Sequence, residues 1–90
     1  SYKDQRELDA LPAEIETLEA GIDALQQDIA APDFYAQDTG IVQEKLRELS
    51  EAEQYLEQRI ERWGELETLQ DALLNQLDDQ GDAGNPADRE

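Results

Sequence analysis

Apolar residues in the first third of the chain fall at Leu8, Leu11, Ile15, Leu18, Ile22, Leu25 and Ile29. The spacing alternates three and four without a miss, which is a heptad seam rather than a broad globular face. A second series runs Val42, Leu46, Leu49, position 53, Leu56, Ile60 and Trp63, with Glu53 as a defect. Taken in opposite directions the two series align: Leu8 meets Trp63, Leu11 meets Ile60, Ile22 meets Leu49, and Ile29 meets Val42. Every such pair of residue numbers adds to 71. Any two heptads can be aligned in this way, so the weight lies in the short segment at the required centre, near residues 35 and 36. A short connection favours antiparallel neighbours.

That segment reads APDFYAQDTG over residues 31–40. Pro32 disfavours helical geometry at Ala31, so the first helix should stop near Ala30. Asp33 can cap a short turn, and Asp38 or Thr39 can cap the second helix. Phe34 and Tyr35 are expected to fold back and close the end of the seam, with an exposed contact tip as the alternative. Beyond Trp63 the leucines at 66, 69, 73 and 77 shift phase by three residues. A shift of that kind is a stammer, after which the helix should fray or pack on something else. Pro12 should kink the first helix or leave a 3₁₀ stretch around residues 8–12, unless the helix starts there. Gly21 and Gly64 each cost about 1 kcal/mol relative to Ala in a helix interior. Gly21 faces the neighbourhood of Ser50, where it either eases close approach or is simply tolerated.

The expected fold is therefore all-α: a two-helix antiparallel coiled-coil hairpin over residues 1–77, ending in a disordered acidic tail. The helices should span about 4–30 and 39–77, with a loop over 31–38. From Asp78 the run DDQGDAGNPADRE is polar and rich in turn formers, and is expected to be disordered.

Composition narrows the chemistry. The chain has 90 residues, of which 24 are acidic and 7 basic, for a formal charge of −17. Neither Cys nor His occurs. That removes disulfides, thiolate metal sites, the usual general base and the commonest zinc ligand. No phosphate-binding GxxxxGK[ST] loop is present. Carboxylates abound, but a catalytic pair needs a water-poor pocket to split its pKa values, which a two-helix hairpin does not offer. The acidic tail does not form a calcium loop, since Ala83 stands where Gly is required. The expectation is no enzyme activity and no cofactor in this segment. There is no apolar run of membrane-spanning length and no signal-peptide pattern, so no membrane partner and a cytoplasmic setting are expected. Ser1 in place of Met points to a segment of a longer protein.

The basic residues are unevenly placed. Lys3 and Arg6 begin the first helix, while Arg59 and Arg62 lie opposite positions 12 and 9 in the expected register. These four should gather at the open base, with Tyr2, Tyr55 and Trp63 in the same half, as candidate contacts to nucleic-acid backbone and bases. The competing reading pairs Arg59, Arg62 and Arg6 with Asp9, Glu7, Glu65 and Glu67. The large negative charge also repels nucleic acid at long range.

SYKDQRELDALPAEIETLEA at residues 1–20 resembles the stretch that opens the C-terminal coiled coil of ABC-F ATPases of the Uup type. Its Ser-Tyr-Lys, Gln-Arg-Glu-Leu and Leu-Pro succession carries the resemblance. PDFY at 32–35 is similar to that domain's hairpin loop, and ERWGELETL at 61–69 to its closing helix. The resemblance covers roughly residues 1–70. It implies a nucleic-acid-binding arm, for DNA or ribosomal RNA, with Lys3, Arg6, Arg59 and Arg62 as contacts. It also implies that ABC cassettes of the same polypeptide precede the arm and hydrolyse ATP with Mg. The alternative is a structural or protein-interaction arm that positions the cassettes or docks on the ribosome. The isolated segment is expected to be monomeric, with self-association as a third reading.

Overall fold

The computed structural model describes the backbone of residues 1–83 and the side chains of residues 1–78. Helix α1 spans Tyr2–Ala30, a short 3₁₀ turn spans Phe34–Ala36, and helix α2 spans Thr39–Ala83. The two helices lie against each other as a rod with extents of 76 × 21 × 14 Å.

Local chemistry accounts for the ends. Ser1 Oγ accepts a hydrogen bond from the Asp4 amide at 3.1 Å, and Asp4 places negative charge in the first turn. Both satisfy or complement the free amides of a helix start. Ala31 is extended, with φ −62° and ψ 141°, as a residue before proline prefers. Asp38 Oδ2 accepts from the Gly40 amide at 3.0 Å and caps α2, which decides between Asp38 and Thr39. Asp33 gives no side-chain cap to the 3₁₀ turn; its carbonyl accepts from the Ala36 amide instead. Phe34 is buried and closes the seam, while Tyr35 stays 67% exposed beside it in an edge-on arrangement. Only one of the two aromatics folds back.

Pro12 leaves α1 unbroken, and no 3₁₀ stretch interrupts residues 8–12. It lies on the exposed side of the helix, where water can serve the carbonyl freed by its missing amide. The expected end of α2 at Leu77 is also corrected. No proline or glycine lies between Leu77 and Gly81, and the helix runs on to Ala83. The tail expected to be disordered begins at Asp78, and residues 84–90 of it lie outside the described residues.

The α1 stripe is as the heptads require: Leu8 to Ile29 are all buried or half-buried. The α2 stripe is not. Its inward positions are Val42, Lys45, Leu49, Ala52, Leu56, Arg59, Trp63, Leu66 and Gln70, again at alternating threes and fours. Leu46 and Ile60, expected in the seam, are 38% and 46% exposed, whereas the Arg59 side chain is only 20% exposed. Arg59 and Lys45 lay their methylene stems along the apolar seam and carry their charge to its edge. With this stripe, Glu53 is no seam defect, and Leu66 follows Trp63 without a stammer. Leu66 is 3% exposed, and it shares a cleft with Leu8. Aligning the buried stripes pairs Leu8 with Leu66, Leu18 with Leu56 and Leu25 with Leu49. The register is thus shifted by three residues from the one expected. The ion pairs Lys45–Asp28 and Arg59–Glu14 lie one residue from it.

In this register Tyr2 lies opposite position 72, so α2 outruns its partner by 11 residues, about 17 Å at 1.5 Å each. Beyond Leu66 the leucines at 69, 73, 74 and 77 are 44–61% exposed. A Cβ added at Gly21 or Gly64 meets nothing within 4 Å, so neither glycine serves close helix approach.

Candidate nucleic-acid interface

The four candidate cations separate into two pairs. Arg59 and Arg62 sit one turn apart on α2 and face a row of carboxylates on α1. Arg59 Nη2 donates to Glu7 Oε2 at 3.0 Å, and its Nε lies 3.0 Å from Glu14 Oε1. That Nε is buried, and its angle to Glu14 is too poor for a hydrogen bond. Arg62 donates twice to Glu7, both at 3.1 Å, and reaches Asp4 and Glu65 at 3.4 Å. Tyr55 donates its hydroxyl to Glu14 Oε1 at 3.2 Å. The result is a charge ladder along one flank of the base.

This ladder sets the local electrostatics. The hydrogen bonds from Arg62 and then Arg59 hold the Glu7 carboxyl below the usual range for a glutamate. The same bonds to Glu7 raise both arginines, against a partial desolvation that opposes the rise. Bidentate arginine–carboxylate geometry is among the stronger polar contacts, and it leaves few guanidinium protons for an outside phosphate.

Lys3 and Arg6 are different. Both are exposed, and among the described residues neither enters an ion pair. The Arg6 guanidinium lies 5.8 Å from the centroid of the Tyr2 ring, which is itself 78% exposed. Cation and aromatic face are presented together, the pairing that suits a phosphate next to an unstacked base. Trp63 is half-buried in the seam and offers no such face.

Charge segregation at the base was legible in the sequence, but its partition was not. Of the expected partners, Glu7 and Glu65 engage the arginines; Asp9 instead accepts from Gln5 at 2.9 Å. Asp4 and Glu14 complete the ladder and were not anticipated. Glu14 lies one heptad after Glu7 and Asp4 one heptad before Leu11, which is the signal that could have found them.

The chain belongs to the ABC transporter C-terminal domain family, whose model matches residues 1–68. Its relatives are of the Uup type. It is 48% identical over 69 residues to ATP-binding protein Uup of Escherichia coli (strain K12), covering 77% of this chain and 11% of that protein. Identity is also 48%, over 67 residues, to ATP-binding protein Uup-like of Haemophilus influenzae (strain ATCC 51907 / DSM 11121 / KW20 / Rd), covering 74% of this chain and 15% of that protein. The solved C-terminal domain of the Uup protein, a DNA-binding coiled coil motif, superposes with a TM-score of 0.74 at 46% identity. That match covers 79% of this chain and 84% of the other. The chain thus spans a small fraction of the length of its Uup relatives. Among the described residues no helix is long and apolar enough to cross a membrane.

Proposed function

We propose that this hairpin is the accessory DNA-binding arm of a Uup-type ABC-F ATPase, acting through the start of α1. The observation that carries the reading is the exposed Lys3–Arg6 pair with the Tyr2 ring against Arg6. The likeness to a DNA-binding coiled coil of the same family supports it. Lys3 and Arg6 contact phosphate and Tyr2 stacks on an unpaired base, while Arg59 and Arg62 hold the hairpin's shape. ATP and Mg belong to the cassettes of the parent protein, in the cytoplasm; among the described residues no group of three or more metal-ligating side chains converges here. The arm has no catalytic role of its own and adds affinity to an enzyme whose chemistry lies elsewhere. Structured ribosomal RNA offers the same phosphate chemistry and is the competing ligand.

The test is a titration of labelled branched DNA and of structured RNA at several salt concentrations. Two phosphate contacts predict a slope of log affinity on log salt near −1.8, at about −0.9 per contact. Lys3→Glu/Arg6→Glu should abolish saturable binding, and a slope near zero in the unaltered arm would leave the reading without support. A second reading, a protein-contacting arm that positions the cassettes or docks on the ribosome as a monomer, is favoured by the charge of −17 and the exposed leucines past Leu66.

A further inference from the structure

The two flanks of the hairpin differ in how their acids are used. On the flank already described, Asp4, Glu7, Glu14 and Asp28 are each matched by Arg62, Arg59 or Lys45. On the other flank Glu53 and Glu57 border a groove of about 380 Å³ whose apolar walls are Ile22, Leu56 and Ile60. Among the described residues neither of these glutamates enters an ion pair, and no basic side chain lines the groove.

Two apolar positions on this flank share one stripe of α2. Leu46 and Ile60 lie two heptads apart, on the stripe of α2 next to the seam, with Glu53 between them. That pair spans about 21 Å along the helix at 1.5 Å per residue, with a drift of about 20° per heptad. In a two-helix hairpin the stripe is left half-exposed; in a three-helix arrangement it would be covered. The complementary surface is a helix with one leucine-like stripe at heptad spacing and lysine or arginine on its borders.

We infer that this groove is a docking site for a basic amphipathic helix of a protein partner. The apolar stripe of that helix covers Ile22, Leu56 and Ile60, and its basic borders meet Glu53 and Glu57. A second copy of this chain is a poor occupant, since its own helices are acidic. The charge complementarity favours a cationic segment, and the heptad spacing of Leu46 and Ile60 favours a helical one. This surface is separate from the Lys3–Arg6 end, so docking here leaves the DNA-binding reading independent.

The probe is a synthetic three-heptad peptide with Leu on one stripe and Lys on both flanks, followed by fluorescence anisotropy with the full chain. The controls are a scrambled peptide of the same composition and a peptide with Glu in place of Lys. Saturable 1:1 binding by the patterned peptide alone is expected. Glu53→Lys/Glu57→Lys should weaken it at least tenfold, whereas Glu48→Lys/Glu61→Lys, an equal charge change off the groove, should weaken it far less. Ile60→Asp decides the mechanism. It makes the surface more acidic, so plain ionic attraction would strengthen, whereas groove docking weakens about tenfold. Equal binding of the scrambled peptide, tighter binding by Ile60→Asp, or equal losses in the two charge-reversed pairs would overturn the inference. Circular dichroism of each variant confirms the fold, and Ile60, being 46% exposed, tolerates the change.

Discussion

Arg62 holds Glu7 in a bidentate fork, Nε to Oε2 and Nη2 to Oε1 both at 3.1 Å, across 55 residues of sequence. A fork of this geometry accepts little sliding, so it pins the register of the two helices where leucine packing alone would leave neighbouring registers close in energy. It also leaves Arg62 few protons for an outside anion. Register and binding surface are therefore set by the same contact.

The register can be checked directly. Leu25→Cys with Leu49→Cys should form an intramolecular disulfide readily under mild oxidation. Leu25→Cys with Leu46→Cys, the pair expected if residue numbers added to 71, should form it slowly, since Leu46 is on the flank. Faster closure of the second pair would reject the stripe through Lys45 and Arg59.

Glu7→Gln removes the ionic partner shared by Arg59 and Arg62. The melting temperature should fall by several degrees, because Arg59 is left half-buried with only Glu14 nearby. At the same time both guanidinium groups lose their shared partner and keep only the weaker ones, so DNA affinity should rise and its salt slope should steepen. Unchanged affinity would mean that the arginine flank does not face the nucleic acid.

Acid should act in two stages. The folded pKa of Glu7 is depressed, so its contribution is complete above about 4.3, the ordinary glutamate value, and is lost as pH falls through the lower folded value. Above that range, any reduction of the −17 net charge relieves self-repulsion within the chain. The melting temperature should rise on mild acidification or added salt and then drop below about pH 4. The drop should be smaller in Glu7→Gln; a monotonic fall from pH 7 in the unaltered chain would show that ion pairs outweigh net repulsion.

Gly21→Ala and Gly64→Ala should each stabilise the hairpin by about 1 kcal/mol, because alanine is the better helix former and open space receives the new methyl. For a domain of this size that is a rise of about 4–8 °C in melting temperature. A loss of stability at Gly21 would point to a partner seated against that face.

Much of the architecture is written in local signals. The heptad on α1, the stop before Pro32 and the Asp38 cap depend on a few adjacent residues, and each appears where its chemistry requires. The family resemblance in residues 1–20, 32–35 and 61–69 is likewise a property of the chain read linearly, and the family match covers residues 1–68. On α2 two stripes share Val42, Leu49, Leu56 and Trp63 and differ only in their alternate members. Leu46 and Ile60 are the more apolar choice, whereas Lys45, Ala52, Arg59 and Leu66 form the stripe that is buried. Hydrophobicity along one helix could not choose between them, because a long cationic side chain can pack its stem and still reach water. The partner helix made the choice. Only when Glu7 and Glu14 come alongside does burying Arg59 leave its charge matched, and the same encounter leaves Lys3 and Arg6 as the pair open to phosphate.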